Sequence, residues 1–536
     1  MKRFLFPLVA TLAASAALCA ADNSRPAPEL WGNQGDGTFV NPVLPGDFSD
    51  IDVIKVGDLY VAMTSTFQYS PGMTIFTSRD LVTWRIAGNA INDVTQISPE
   101  LSWQRMNRYA KGVWAGSLAY HDKRYWVYFG TPDEGFFVTT APAPEGPWEP
   151  LTHMTSEGGW DDCCPFWDDD GQGWFVSTHF KGGYKIWLHK LTPDGKGLVK
   201  DSGRVLYQGP ASEANKLFKH DGWYLHYFSE VKKNEGRVAM MRRARSLEGP
   251  WETRQLNRAK PIDPNQGNIV PAPDGSWWFL THFGSGNWRG RQANVLPVTW
   301  IDGWPILGTV EADGIGTMTW RARLPITPAD KPTLPISGET FDGPGLNACW
   351  QWNYQPRTDH WSLTERPGFL RLHAFQPTTA TRQCELKRAG NTLTQRSMGS
   401  AKNVVTATIE LNGMADGQKA GLCHYSGPWS TIGVEQVGNV RTLVRVVGSK
   451  EEKRTTGPAV TAKRIWLRSQ WDTNGAETAS YSLDGKTFTT LGDASSLGWG
   501  DYRGDRFGVY SYNTAADQGY VDVDAVTYEV AGPTGK

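Results

Sequence analysis

Asp50, Asp162 and Glu213 lie too far apart in the chain for any local motif, yet each stands eight residues before an aspartate that marks a tight turn: Asp58, Asp170 and Asp221. Two further turns of the same kind carry Asp122 and Asp274, and the same count back reaches Trp114 and Gln266. If the five turns are equivalent, three of five equivalent positions are carboxylic acids. Like charges held together raise at least one pKa, which keeps a carboxylic acid protonated near neutrality. Cleavage of a glycosidic bond needs such a set: one carboxylic acid protonates the departing oxygen, and a second carboxylate attacks or activates water. Clustered acids also suit a cation, but no EF-hand loop occurs, and Asp168-Asp169-Asp170-Gly171 reads as a hairpin turn.

The elements that would gather these acids form a repeat. A short strand, a turn and an aromatic-rich strand recur, the second strands being Tyr60–Thr64, Tyr125–Gly130, Trp174–His179, Trp223–Phe228 and Trp277–His282. A period of about 40–60 residues is the mark of a propeller, and helical periodicity is nearly absent here. Five four-stranded blades fit between about residue 37 and residue 323. The first strand of each blade lines the central axis, so equivalent positions on those strands converge on one funnel. The registration is good to about one position, because turn lengths vary.

Composition agrees. Gly 58, Trp 25, Tyr 18 and Phe 21 favour an all-β protein with many turns and flat side chains on which sugars can stack. Lys+Arg 54 against Asp+Glu 55 leaves a net charge of −1, which excludes the electrostatic footprint of nucleic acid or an anionic membrane as partner.

At the N-terminus, Lys2-Arg3, an apolar run from Phe4 to Leu18 and then Cys19-Ala20-Ala21 read as a signal peptide over 1–21, implying export to the periplasm or beyond. No other segment is apolar for ~18 residues, so no membrane insertion is expected. Cys163, Cys164, Cys349, Cys384 and Cys423 then remain. Their number is odd and their spacing suits no zinc site, so buried thiols are expected, with one bridge in the C-terminal half as the alternative.

Beyond the propeller (22–323), a Pro-rich stretch over 324–337 reads as a linker. From 338 to 536 alternating strands resume, among them Phe369–Phe375, Val404–Leu411, Arg441–Val447, Arg464–Trp471 and Tyr520–Val530. Period-two alternation and short turns suit a β-sandwich.

Several stretches resemble glycoside hydrolase family 43, whose members are five-bladed propellers acting on xylose- and arabinose-containing polysaccharides. Asn41-Pro42-Val43-Leu44-Pro45-Gly46-Asp47-Phe48-Ser49-Asp50 resembles the family's opening motif, and places Asp50 as general base. Gly159-Trp160-Asp161-Asp162-Cys163-Cys164-Pro165-Phe166 resembles the segment of the third acid, placing Asp162 as the group that tunes and orients the general acid. Asp161 is the alternative at that position, and only the motif decides. Ser212-Glu213-Ala214 resembles the general-acid segment, giving Glu213 that role. These are the acids that the repeat selects. Ser65-Thr66-Phe67, Trp114-Ala115 and Gly290-Arg291-Gln292 match further pocket segments. The resemblance implies that Phe67 and Trp114 are walls against the sugar, and that Arg291 reaches a sugar hydroxyl or the acids. By residue type alone, both aromatics would be core and Arg291 a surface or ion-pair residue.

One departure stands out. Where the family often has a histidine that helps hold an ion on the axis, Asn265-Gln266-Gly267-Asn268 has Gly267, so no metal and no cofactor is expected. Gln266 is left with two readings, a hydrogen bond to substrate or water, or a structural role. The second half resembles the lectin-like sandwich appended to the larger family 43 xylosidases and arabinofuranosidases, with Asn353-Tyr354-Gln355-Pro356-Arg357 as its signature.

Together these readings predict an exo-acting, inverting hydrolase that releases xylose or arabinose from plant hemicellulose. Inversion requires the two working carboxyls to sit roughly 6.5–9.5 Å apart. A protein that binds polysaccharide without cutting it is the alternative; it would have no use for the acid trio. Neither oligomeric state nor the choice between xyloside and arabinofuranoside is legible.

Overall fold

The computed structural model describes residues 23–261, 264–284, 286–328, 334–449, 451–500 and 502–532. The signal-peptide reading falls outside these residues, as does the middle of the Pro-rich stretch.

Short turns fold the first half into antiparallel meanders of four strands. The first strands of the meanders are Asp52–Val56, Gly116–His121, Trp160–Trp167, Glu213–His220 and Pro264–Pro271. Each pairs with the aromatic-rich strand that follows. Turn residues do what their chemistry allows: Asp122 and Asp221 take left-handed backbone at φ 49° and 47°, which aspartate tolerates. Asp274 accepts hydrogen bonds from Ser276 N (2.9 Å) and Ser276 Oγ (2.6 Å).

The five first strands touch their neighbours around a closed ring, the last meeting the first again. Strands deeper in a blade are sandwiched between neighbouring blades, so both of their faces are apolar. Arg124–Thr131 is buried at seven of eight residues, and Tyr128 packs on Phe175 of the next meander at 5.7 Å between ring centroids. Burying a large apolar side chain contributes roughly 1.5–3 kcal/mol, which explains the aromatic excess. The ends of the propeller are joined where Thr38–Val40 pairs with Arg321–Arg323. Asn41 Nδ2 donates to Val295 O and Thr319 O there, both at 2.8 Å.

The second half is a sandwich of two antiparallel sheets. One contains Val440–Gly448, Trp429–Val437, Gln418–Tyr425 and Arg506–Asn513; the other contains Tyr520–Val530, Asn403–Glu410 and Arg464–Trp471. Between them lies a core that includes Leu422, Ile432, Leu467, Phe507 and Val523. Cys163, Cys164, Cys349, Cys384 and Cys423 are all free thiols, so no bridge forms in the C-terminal half.

The two halves share a sheet. Tyr69–Ser70, from the first propeller meander, pairs with Gln351–Asn353 at the edge of a sandwich sheet. Arg396 Nε donates to Asp47 O at 2.7 Å, and Arg503 Nη1 donates to Gln68 Oε1 at 3.0 Å. The Arg506 guanidinium lies 3.9 Å from the Tyr69 ring centroid. Burial pushes Arg396 down to about 10 and Arg506 down to about 9. This docking sets the two halves rigidly around the segment that carries Phe67.

Candidate active site

Three of the first strands carry an extra residue at the same place. Two residues oppose one between Asp161 and Cys164, between Glu213 and Lys216, and between Pro264 and Gly267. Ser65 N bonds Ser49 O while Asp52 pairs with Met63, so Asp50 and Ile51 form the same bulge in the first meander. Bulges re-aim side chains at the rims of closed sheets. Asp50, Asp162 and Ala214, with φ of 55°, 48° and 67°, are the equivalent left-handed residues. Glu213 therefore stands one position ahead of Asp50 and Asp162, level with Asp161. Gln266 stands one position behind, and Asn265 is the true counterpart of Asp50. The slip has two sources: Asp221 is the first residue of its two-residue loop where Asp58 is the second, and the strand runs one residue further from bulge to loop over 267–271 than over 164–167.

The bulges open into a cavity of about 210 Å³. Asp50, Asp162, Glu213, Phe67, Trp114 and Arg291 all line it, as does Asp161. Gln266 does not. It is buried one layer back, where its amide donates to Asp162 Oδ1. The reading of Gln266 as a group that contacts substrate is corrected to a structural one, because the one-residue slip turns it away from the opening.

Each acid has a distinct setting. Asp50 Oδ1 is 2.5 Å from Arg291 Nη1, and its Oδ2 accepts from Ser65 Oγ at 2.5 Å. Its backbone N–H donates to His282 Nδ1 at 2.7 Å. That ring is buried, and burial with the charges of Arg291 and Arg237 holds His282 well below the usual histidine range. It is thus a neutral acceptor, and its 3.9 Å approach to the Asp50 carboxylate is no ion pair. Glu213 Oε1 accepts from Asn265 Nδ2 and approaches Arg237 Nη2, both at 3.1 Å. Its side chain is 23% exposed, against 4% exposure for Asp162.

Asp162 accepts from Ala214 N at 2.8 Å on Oδ2. Burial, then the charges of Glu213 and Asp50, push Asp162 up to about 8. Burial and the neighbouring Asp162 raise Asp161 well above the carboxylate range. Four carboxyls so close cannot all ionise at neutral pH, and the group as a whole retains protons.

The walls are aromatic. Trp114 packs against Phe180 at 5.9 Å and against Tyr502 at 6.4 Å between ring centroids. Tyr502 comes from the sandwich, so one of its loops closes the side of the pocket. The adjacent Arg503 is buried and lies 5.1 Å from the Phe67 ring, backing the opposite wall. Among the described residues no group of three or more His, Cys, Asp or Glu has the geometry to hold a metal ion.

The sequence model described as glycosyl hydrolases family 43 matches residues 39–305. A beta-xylosidase of Formosa agariphila is 34% identical over 94% of this chain and 92% of its own. The chain belongs to glycoside hydrolase family 43. It is therefore a glycosidase. The family 43 propeller is followed by a match, over residues 338–529, to the beta xylosidase C-terminal concanavalin A-like domain. A non-reducing end alpha-L-arabinofuranosidase of Bacteroides ovatus is 30% identical over 62% of this chain and 65% of its own. Among solved structures, a bifunctional GH43-CE protein of Bacteroides eggerthii superposes with a TM-score of 0.82 at 26% identity, covering 92% of this chain and 64% of that one.

Four pocket residues of this family 43 enzyme, Asn265, Phe180, Tyr184 and Tyr502, escaped the sequence reading, as did Arg237, which meets Glu213. Asn265 could have been found by counting strand residues rather than turn residues. Tyr502 had no local signal, because its role comes from the docking of the sandwich.

Proposed function

We propose that the protein is an exo-acting, inverting glycosidase that removes single xylose or arabinose units from the non-reducing ends of hemicellulose chains, with Asp50 as base, Glu213 as acid and Asp162 as the group that orients and tunes Glu213. The observation that carries this reading is the meeting of all three acids on the wall of one small aromatic pocket. A cavity of about 210 Å³ is below the roughly 300–1,000 Å³ of ordinary ligand pockets. That size suits one sugar ring, and Tyr502 narrows the side along which a longer chain would run.

Arg291 and Ser65 both donate to Asp50 and fix its carboxylate at the cavity wall as the base. It takes a proton from the attacking water. Glu213 is the acid of the cluster that opens towards the cavity, and it protonates the leaving oxygen while retaining its bonds through Oε1. Asp162, fixed by Ala214 N and Gln266 and pushed up to about 8, holds a proton beside Glu213 near neutral pH, so that the pair can supply one to the leaving oxygen. The likeness to beta-xylosidases supports a β-xyloside as substrate, and the likeness to an arabinofuranosidase supports the second activity. The N-terminal Lys2-Arg3 and apolar run support export to where such polysaccharides are met.

Incubation with aryl β-xyloside and aryl α-arabinofuranoside tests the reading, with proton NMR of the sugar first released. Release of phenol with inverted anomeric configuration is expected. Binding of xylan without release of phenol from either glycoside would make the protein a carbohydrate-binding module instead.

A further inference from the structure

One layer below the acids, the propeller axis holds a buried pair of opposite charges. Lys216 is 1% exposed, and its Nζ lies 3.3 Å from Asp52 Oδ2. It also donates to Ser117 Oγ at 2.8 Å and faces Gly116 O at 3.4 Å. Asp52 and Lys216 sit on first strands that are not neighbours in the ring, so their contact crosses the centre. Both follow directly on a bulge, at the position that Gly116, Cys164 and Gly267 occupy in the other meanders. Asp52 Oδ2 further accepts from Ser117 Oγ and Leu118 N, at 2.9 and 2.7 Å. Its Oδ1 has no hydrogen-bond partner among the described residues.

We propose that Lys216 is a positioning residue for the acid cluster, a fixed positive charge beneath the carboxyls that determines the pH at which the cluster releases its working proton. It stands three residues after Glu213 on one strand, and its charge is felt at Asp162, Cys163 and Cys164. The groups facing Lys216 are Asp52, Ser117, Cys163 and Cys164; those facing Asp162 are Asp161, Asp50, Glu213, the Arg291 guanidinium, the Ala214 N–H and the amide of Gln266. Asp52 ties down the ammonium but does not rank among the charges acting most on Asp162. At Asp162 the pair acts chiefly through the Lys216 ammonium, which favours the ionised carboxyl.

The inference rests on the hydrolase reading, and the test separates the two. Profiles of kcat/KM against pH are recorded on an aryl glycoside for the wild type, Asp52→Asn, and the double variant Lys216→Met with Asp52→Asn. The double variant removes both charges, so no lone ion stays buried. Its alkaline limb is expected to move up by about half a pH unit or more, because the carboxyls lose a cation; a tenfold change in proton affinity corresponds to one unit. Asp52→Asn, which leaves Lys216 uncompensated, is expected to move that limb down. The opposite signs distinguish a field from mere loss of packing, which would lower the profile without displacing it. Limbs unmoved in both variants, beside an active wild type, overturn the role of Lys216. Should the double variant fail to fold, an unmoved limb in Asp52→Asn alone overturns it. A wild type inactive on every glycoside instead defeats the hydrolase reading.

Discussion

Arg291 Nη1 lies 2.5 Å from Asp50 Oδ1, and both residues line the same cavity. Asp50 is only 7% exposed, so its charge is tolerated because a guanidinium shares the site. The Arg291 backbone is itself fixed, its N–H donating to Asp47 Oδ1 at 3.0 Å. Removing the guanidinium leaves a nearly buried carboxylate unpaired, and that favours its neutral form.

Arg291→Met is therefore expected to lower kcat/KM by about 10²–10³-fold, the scale for loss of a preorganised charged donor. Arg291→Lys, which keeps the charge but not the fork, should recover only part of the rate. A pH profile of both variants on one aryl glycoside checks this.

Glu213 gives a sharper contrast. General acid catalysis contributes typically about 10²–10⁴-fold, but only where the leaving group needs a proton. Glu213→Gln keeps an acceptor for Asn265 and Arg237, yet it has no proton to give. Its kcat on a xylo-oligosaccharide should fall by that factor, while an aryl glycoside with a good leaving group loses little. Equal losses on both substrates would take the acid role away from Glu213.

Asp162 links catalysis to stability. Burial and the charges of Glu213 and Asp50 hold it up to about 8 in the folded chain, above the ordinary value of 3.8. Its stabilising contribution is thus complete below about pH 4 and is lost as pH rises towards 8. Asp162→Asn, which never ionises, should melt close to wild type at pH 4.5. At pH 8.5 it should melt above wild type by about 1 °C for each kcal/mol relieved, on the usual unfolding entropy per residue, with activity strongly reduced at both. Thermal melts at the two pH values measure the difference.

What the sequence reveals and what it hides have separate physical causes. Aspartates mark the tight hairpins, so counting eight back from them reaches Asp50, Asp162 and Glu213, although Glu213 holds a register position one ahead of the other two. The offset arises from the place of the aspartate in its loop, second at Asp58 but first at Asp221, and from a strand one residue longer over 267–271 than over 164–167. Only strand pairing reveals that Asn265, not Gln266, faces the pocket. Arg237 is on the third strand of its meander, opposite Val231, and no local pattern says that its side chain returns to Glu213. Tyr502 depends on how two halves of the chain dock, which no periodicity within either half records. The family resemblance supplied roles for matching residues, but this contact lay outside its motifs.

That contact supports the last prediction. Tyr502 is 59% exposed, yet its ring meets the edge of Trp114 at 6.4 Å and the Arg291 guanidinium lies 6.0 Å from its centroid. Aromatic rings in such edge-to-face arrangements contribute about 0.5–1.5 kcal/mol beyond their buried area, so Tyr502 braces the Trp114 wall as well as forming one itself. It touches none of the carboxyls that carry out proton transfer. Tyr502→Ala should accordingly raise KM for an aryl glycoside by about tenfold, the equivalent of 1.4 kcal/mol, with kcat changed far less. It should also widen the pocket on the side of the sandwich, so that branched or longer glycosides rejected by the wild type begin to be cleaved. Kinetics on a short aryl glycoside, together with product analysis on a branched xylo-oligosaccharide, measure both effects. A fall in kcat at unchanged KM would mean that the sandwich acts on the chemistry rather than on the fit of the sugar.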